Sequence, residues 1–75
     1  MTLGTDRVQL SFNPSANTDV NDIKQRAADC IDWCNNARET TLANGLDGAQ
    51  ERARLLALAM TAFEEAAMWA VKAVT

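Results

Sequence analysis

Histidine and tyrosine are absent from this 75-residue chain, proline occurs once and glycine three times. Without histidine the commonest metal ligand and general base is missing, so a zinc centre would need carboxylates or a second chain. Cysteine is scarce too. Cys30 and Cys34 stand four residues apart in a helical pattern and point along one helix face, a poor geometry for a disulfide. They read as free thiols serving as small apolar packing residues in a reducing cytoplasm. No histidine in this chain or in any copy of it could activate them, which argues against nucleophilic catalysis. Positive charge is also in deficit: seven basic residues face ten acidic ones, for a net charge of −3. A duplex-DNA partner would require a basic face, so DNA is not expected. The most apolar uncharged stretch, Leu55 to Phe63, falls well short of the roughly 20 residues that span a bilayer. The N-terminus has no apolar run of the signal-peptide kind. A cytoplasmic protein with no membrane, metal or cofactor is the expectation. A single domain this short is marginally stable alone unless it is stapled or oligomeric.

What is present is helical periodicity. Residues 1–18 read as an irregular N-terminal arm. Within it Arg7 to Phe12 alternates polar and apolar residues like a short extended segment, Asn13-Pro14-Ser15 breaks regular structure, and Val8, Leu10 and Phe12 serve as anchors. Residues 19–75 read as a helical hairpin. A first helix over about 19–41 is capped by Asn17 or Thr18, with Asp19 and Asp22 at the positive end of its dipole. Val20, Ile23, Ala27, Cys30, Cys34, Ala37 and Thr41 recur at spacings of three and four, an a/d seam widened by Ile31 and Trp33. The loop over 42–47 contains Asn44-Gly45, which tolerates positive φ, and Asp47 with Gln50 resembles a capping box. A second helix over about 48–74 follows, folded back antiparallel.

That second helix is apolar on two sides. Leu56, Met60, Phe63, Ala67, Ala70 and Val74 form one stripe; Leu55, Leu58, Ala62 and Trp69 form another, interrupted by Glu65. The first helix can cover only one of them. The other needs a second subunit, so the fold expected is an all-α hairpin assembled into a symmetric homo-oligomer. Phe63, Glu65, Met68, Trp69 and Lys72 are the expected interface residues. Glu65, Trp69 and Lys72 share a face at spacings of four and three and would either pack between subunits or line a shared pocket; packing is the simpler reading.

Enzymatic chemistry finds little support. Glu64 and Glu65 are sequence neighbours about 100° apart on a helix and cannot face each other as an acid/base pair. Gly45-Leu46-Asp47-Gly48 is too short for a phosphate loop and lacks its lysine. Lys24, one of only two lysines, lies next to the Ile23 seam position, while Phe12 lies in the arm before it. A ring and a cation are the minimal kit for a nucleotide, the ring stacking on a base and the cation meeting a phosphate. From composition alone, a hydrophobic anchor and a solvated charge is the simpler reading of the pair.

The block Thr61-Ala62-Phe63-Glu64-Glu65-Ala66-Ala67-Met68-Trp69-Ala70-Val71-Lys72-Ala73 resembles the signature of a bacteriophage helical-hairpin family, the anti-CBASS and anti-Thoeris sponges. The resemblance extends from about Phe12 to Val74. It implies a binding protein, not an enzyme, that holds cyclic nucleotide immune signals without cleaving them. It also implies compact oligomers, commonly hexamers, with cyclic dinucleotides in pockets between subunits and, in some members, cyclic trinucleotides at separate sites. Asn21-Asp22-Ile23-Lys24 is similar to the family's Asn-x-Ile-Lys stretch, which implies ligand contact for Lys24. Phe12 stands nearest to the family's stacking tyrosine, and Ser11-Phe12-Asn13-Pro14 replaces its Gly-Tyr-Arg stretch. Phosphates would be met by Lys24 with Arg7 or Arg26, bases by Phe12 beside Asn13, and a possible second site would use Arg52 and Arg54. The alternative is a structural or protein-binding hairpin module of a phage or prophage.

Overall fold

The computed structural model describes residues 2–9, 17–45 and 47–75, and these form three helices: α1 (Leu3–Val8), α2 (Thr18–Asn44) and α3 (Ala49–Val74). α2 and α3 make the expected antiparallel hairpin. Asn17 caps α2, its side-chain oxygen accepting from the backbone N–H groups of Asp19 (2.8 Å) and Val20 (3.3 Å). The Asn17 amide also donates to the Val74 carbonyl at 3.2 Å, tying the start of α2 to the end of α3. α2 continues to Asn44, past the expected stop near residue 41, because nothing opposes it until Gly45 adopts the left-handed conformation at φ 61°. The start of α3 differs from the capping box expected at Asp47: Gly48 is the N-cap at φ 80°, with no side-chain cap bond.

The N-terminal segment is the main correction. Residues 3–8 are helical, so Arg7 and Val8 belong to a helix and not to an extended arm. Thr2 caps α1 reciprocally with Thr5, a threonine filling the capping-box position usually held by glutamate or glutamine. One and a half turns cannot persist in isolation, so α1 depends on what it touches. Its Val8 is buried, and Gly4 lies so close to α2 that its N–H donates to the Asp32 carboxylate at 2.7 Å. The expected anchors Leu10 and Phe12, and the break at Asn13-Pro14-Ser15, lie outside the described residues.

With α1 on one side and α3 on another, α2 is covered over a wider arc than its seam suggests. Val20, Ala27 and Cys34 are buried as expected, and so are Lys24, Ala28 and Ile31. Ile31 has no exposure at all; Trp33, two residues on and therefore about 200° round the helix, is 68% exposed and does not widen the seam. On α3, Ala53, Met60 and Ala67 are buried, with Leu56, Ala57 and Ala59 packed beside them. The second stripe is uncovered: Leu55, Leu58 and Trp69 are each more than half exposed. Among the described residues, no helix is long and apolar enough to cross a membrane.

Candidate functional site

A cleft of about 280 Å3 opens where α1 meets the C-terminal half of α3 and the first turns of α2. Val8, Ala67, Met68 and Val71 form its apolar side, and Arg7, Lys24 and Glu64 bring charge to it. Ala67, Met68 and Val71 follow Glu64 at spacings of three, four and seven, so α3 lays all four along one face.

Each cation is held differently. Lys24 is only 7% exposed, and its ammonium donates to the Gln9 carbonyl at 3.0 Å. Gln9 is the C-cap of α1, in the left-handed region at φ 53°, so a lysine from α2 closes the carbonyl end of a neighbouring helix. The bond also satisfies a charge that would otherwise be costly to bury. A solvated Lys24, one of the two readings of the sequence, is thereby overturned. Arg7 reaches the cleft from α1. Its Nε lies 3.7 Å from Glu64 Oε2, while its Nη1 is buried with no hydrogen-bond partner. A buried guanidinium nitrogen without an acceptor is a destabilising feature.

The other expected ligand residues lie elsewhere. Arg26, two positions beyond Lys24, is turned away: its Nε pairs with both carboxylate oxygens of Asp22 at 3.1 Å, and it borders a separate groove of about 250 Å3. That groove is apolar, formed with Ile23, Ala27, Cys30, Phe63, Ala66 and Ala70 among others. Phe12 and Asn13 lie outside the described residues. Arg52 borders a third cleft, about 180 Å3, at the hairpin turn with Thr40, Thr41, Asn44 and Asp47. Arg54 does not join it but pairs with Glu51, whose carboxyl is lowered by that hydrogen bond while the guanidinium of Arg54 is raised in return. The expected interface residues spread over three sides of α3. Phe63 borders the apolar groove, Met68 the charged cleft, and Glu65, Trp69 and Lys72 the outer face, where the Lys72 ammonium lies 5.8 Å from the Trp69 ring centroid.

Catalytic alternatives gain nothing from the geometry. The Cys34 thiol is pushed up by burial, and further by Cys30 beside it, which favours the unreactive protonated form. Among the described residues, no group of three or more histidine, cysteine, aspartate or glutamate side chains could hold a metal ion.

Comparison with known families matches residues 5–75 to one described as Acb2/Tad1, hairpin domain. The chain belongs to that family. Its proteins are the phage anti-CBASS and anti-Thoeris sponges, in keeping with the C-terminal block. No curated protein and no solved structure matches. The Acb2/Tad1 match begins inside α1, so it takes in Arg7, Lys24 and Glu64 together. Sequence reasoning reaches the first two and passes over Glu64 and Gln9. The signal for Glu64 is its spacing from Met68 and Val71, which only a partner helix on that side makes meaningful. Nothing in the sequence points to the Gln9 carbonyl.

Proposed function

We propose that this protein sequesters cyclic oligonucleotide second messengers and so blocks CBASS- or Thoeris-type signalling in an infected bacterium. It acts by binding alone. Membership of the Acb2/Tad1 family carries the general reading, and the charged cleft carries the particular one. An apolar wall beside Arg7 and Lys24 suits a base joined to a phosphate. Two cations, Arg7 and Lys24, brought from different helices to one cleft are the observation that most favours an anion there. Phe12, three residues after Gln9 in the chain, is the proposed stacking ring, with Asn13 beside it. Cyclic dinucleotides are the first choice of ligand; cyclic ADP-ribose isomers and cyclic trinucleotides are the others, the latter with Arg52 and Arg54 as candidate contacts.

A cleft of about 280 Å3 lies just below the usual range of small-molecule sites, about 300–1,000 Å3, and a cyclic dinucleotide carries two bases and two phosphates. One chain therefore supplies part of a site. A second copy would complete it, which accords with the exposed Leu55, Leu58, Met68 and Trp69 on α3 and the adjoining apolar groove. A hexamer is the proposed assembly, by the family's habit.

Calorimetric titration with cyclic di- and trinucleotides and cyclic ADP-ribose isomers tests the proposal, with mass spectrometry of the recovered ligand. Micromolar or tighter binding with intact ligand is expected. Failure to bind any of them at micromolar concentration would refute it and favour the protein-binding hairpin module, whereas recovery of cleaved ligand would revive the enzyme.

A further inference from the structure

A site built only for phosphates would have no use for Glu64. Its carboxylate borders the same cleft as Lys24 and Arg7, 3.7 Å from the Arg7 guanidinium. Toward a doubly anionic ligand a negative charge in that place is repulsive, unless its oxygens accept hydrogen bonds from the ligand. Those oxygens are available. The separation from Arg7 exceeds hydrogen-bond length, and the Glu64 side chain keeps 37% of its exposure.

The donors on a nucleotide are the ribose hydroxyls and the base edges. The apolar neighbours Ala67, Met68 and Val71 on the same helix favour a base over a hydroxylated sugar. Among bases, guanine presents N1–H and N2–H side by side, a parallel pair that matches the two oxygens of a carboxylate. Adenine sets an acceptor, N1, next to its N6 donor, so a carboxylate there gains one bond and one repulsion.

We propose that Glu64 is a specificity-determining residue that reads the Watson–Crick edge of guanine, so that the ligand is a guanine-bearing cyclic dinucleotide. This rests on the cyclic-nucleotide reading above and names the ligand class within it. Arg7 and Lys24 then serve the phosphates and Glu64 serves the base.

The test is calorimetry with cyclic di-GMP and cyclic di-AMP on the wild-type protein and on Glu64→Gln, with helix content and native mass as controls. Wild type should prefer cyclic di-GMP by about tenfold or more, as expected for a two-bond base contact. Glu64→Gln should bring the two ligands to near parity, because an amide can pair with either base edge, while fold and assembly stay unchanged. Equal tightening for both ligands in Glu64→Gln would overturn the inference and reduce Glu64 to a repulsive charge. An unchanged preference in the variant, or a wild type that binds cyclic di-AMP at least as well, would overturn it too, leaving the sponge reading intact. A wild type that binds neither of these, nor any other cyclic nucleotide, overturns both.

Discussion

Gly4→Ala should disable the proposed ligand cleft from a position outside it. A Cβ built on Gly4 would lie 2.1 Å from the Ala28 carbonyl oxygen and 2.7 Å from Asp32 Oδ1. The first of these is backbone of α2 and cannot swing aside. Gly4 is not among the positive-φ residues, so alanine fits its dihedrals and the whole effect is steric. Relief requires α1 to move outward by more than 1 Å, on the order of what separates that approach from ordinary van der Waals distance, and so to give up the 2.7 Å bond from Gly4 N–H to Asp32. Overpacking of this kind costs about 1–3 kcal/mol. Losing a hydrogen bond to a carboxylate costs about 1.5–3 kcal/mol. Alanine's better helix propensity returns at most about 1 kcal/mol. A net loss of roughly 1.5–5 kcal/mol, summing those contributions, is large for a six-residue helix held by Val8, Lys24, the Arg7–Glu64 pair and that same bond. α1 should undock, taking Arg7 and Gln9 from the cleft, while α2 and α3 keep their hairpin. Hydrogen exchange should show weaker protection of the Arg7, Val8 and Gln9 amides, and far-UV circular dichroism should change little. Ligand affinity should fall at least tenfold, on the order of the worth of one charge-assisted hydrogen bond. Wild-type protection and affinity in Gly4→Ala would refute the dependence of the cleft on the seating of α1.

Other perturbations separate the remaining roles. Lys24→Ala should weaken cyclic-nucleotide binding by roughly tenfold or more, for loss of a charge-assisted bond and of its hold on the end of α1, and leave the native mass unaltered; dissociation of the oligomer would make Lys24 an assembly residue. Trp69→Glu should break the assembly by placing an unpaired charge in an apolar interface, seen as a shift to monomer in native mass spectrometry. Iodoacetamide near neutral pH should label half-buried Cys30 well before buried Cys34, whose thiol is raised by burial and by Cys30, as read by peptide mass mapping. A folded-state pKa raised in this way contributes stability that is present below the unfolded thiol's pKa and lost as pH rises through the folded one. Thermal stability of the wild type should therefore fall more steeply on the alkaline side than that of Cys34→Ala.

The hairpin is legible in the sequence because long helices repeat their signal. Spacings of three and four, sustained for about six turns, mark α2, and Asn17 marks its start, but the spacing gives out near residue 41, three residues before the helix ends. α1 is not legible, because a helix of six residues has no periodicity to show and its cap uses Thr5 in place of the expected acid or amide. Missing α1 has consequences down the chain. Lys24 resembles an edge residue because its cover, the turn ending at Gln9, has the pattern of loose extended chain. Ala28 escapes assignment for the same reason, although its carbonyl is the surface on which Gly4 rests. Trp33 misleads by composition: a tryptophan beside a seam attracts a core assignment, and only its angle round the helix forbids one. Glu64 stands out in the sequence only as an acid that cannot pair with Glu65. Its company across the chain, Arg7, is a tertiary fact.

The bond from Lys24 to the Gln9 carbonyl bears on how quickly the protein would let go of what it catches. A free lysine side chain surrenders up to about 2 kcal/mol of rotamer entropy when it is immobilised. Here much of that loss falls within folding, because the Gln9 carbonyl already holds the ammonium in place. Preorganisation of this sort raises affinity by sparing a ligand the cost of ordering its own receptor. Among related complexes such gains accrue mostly as slower dissociation. For a protein proposed to work by retention and not by turnover, residence time is the property that would decide whether a signal returns to the cell.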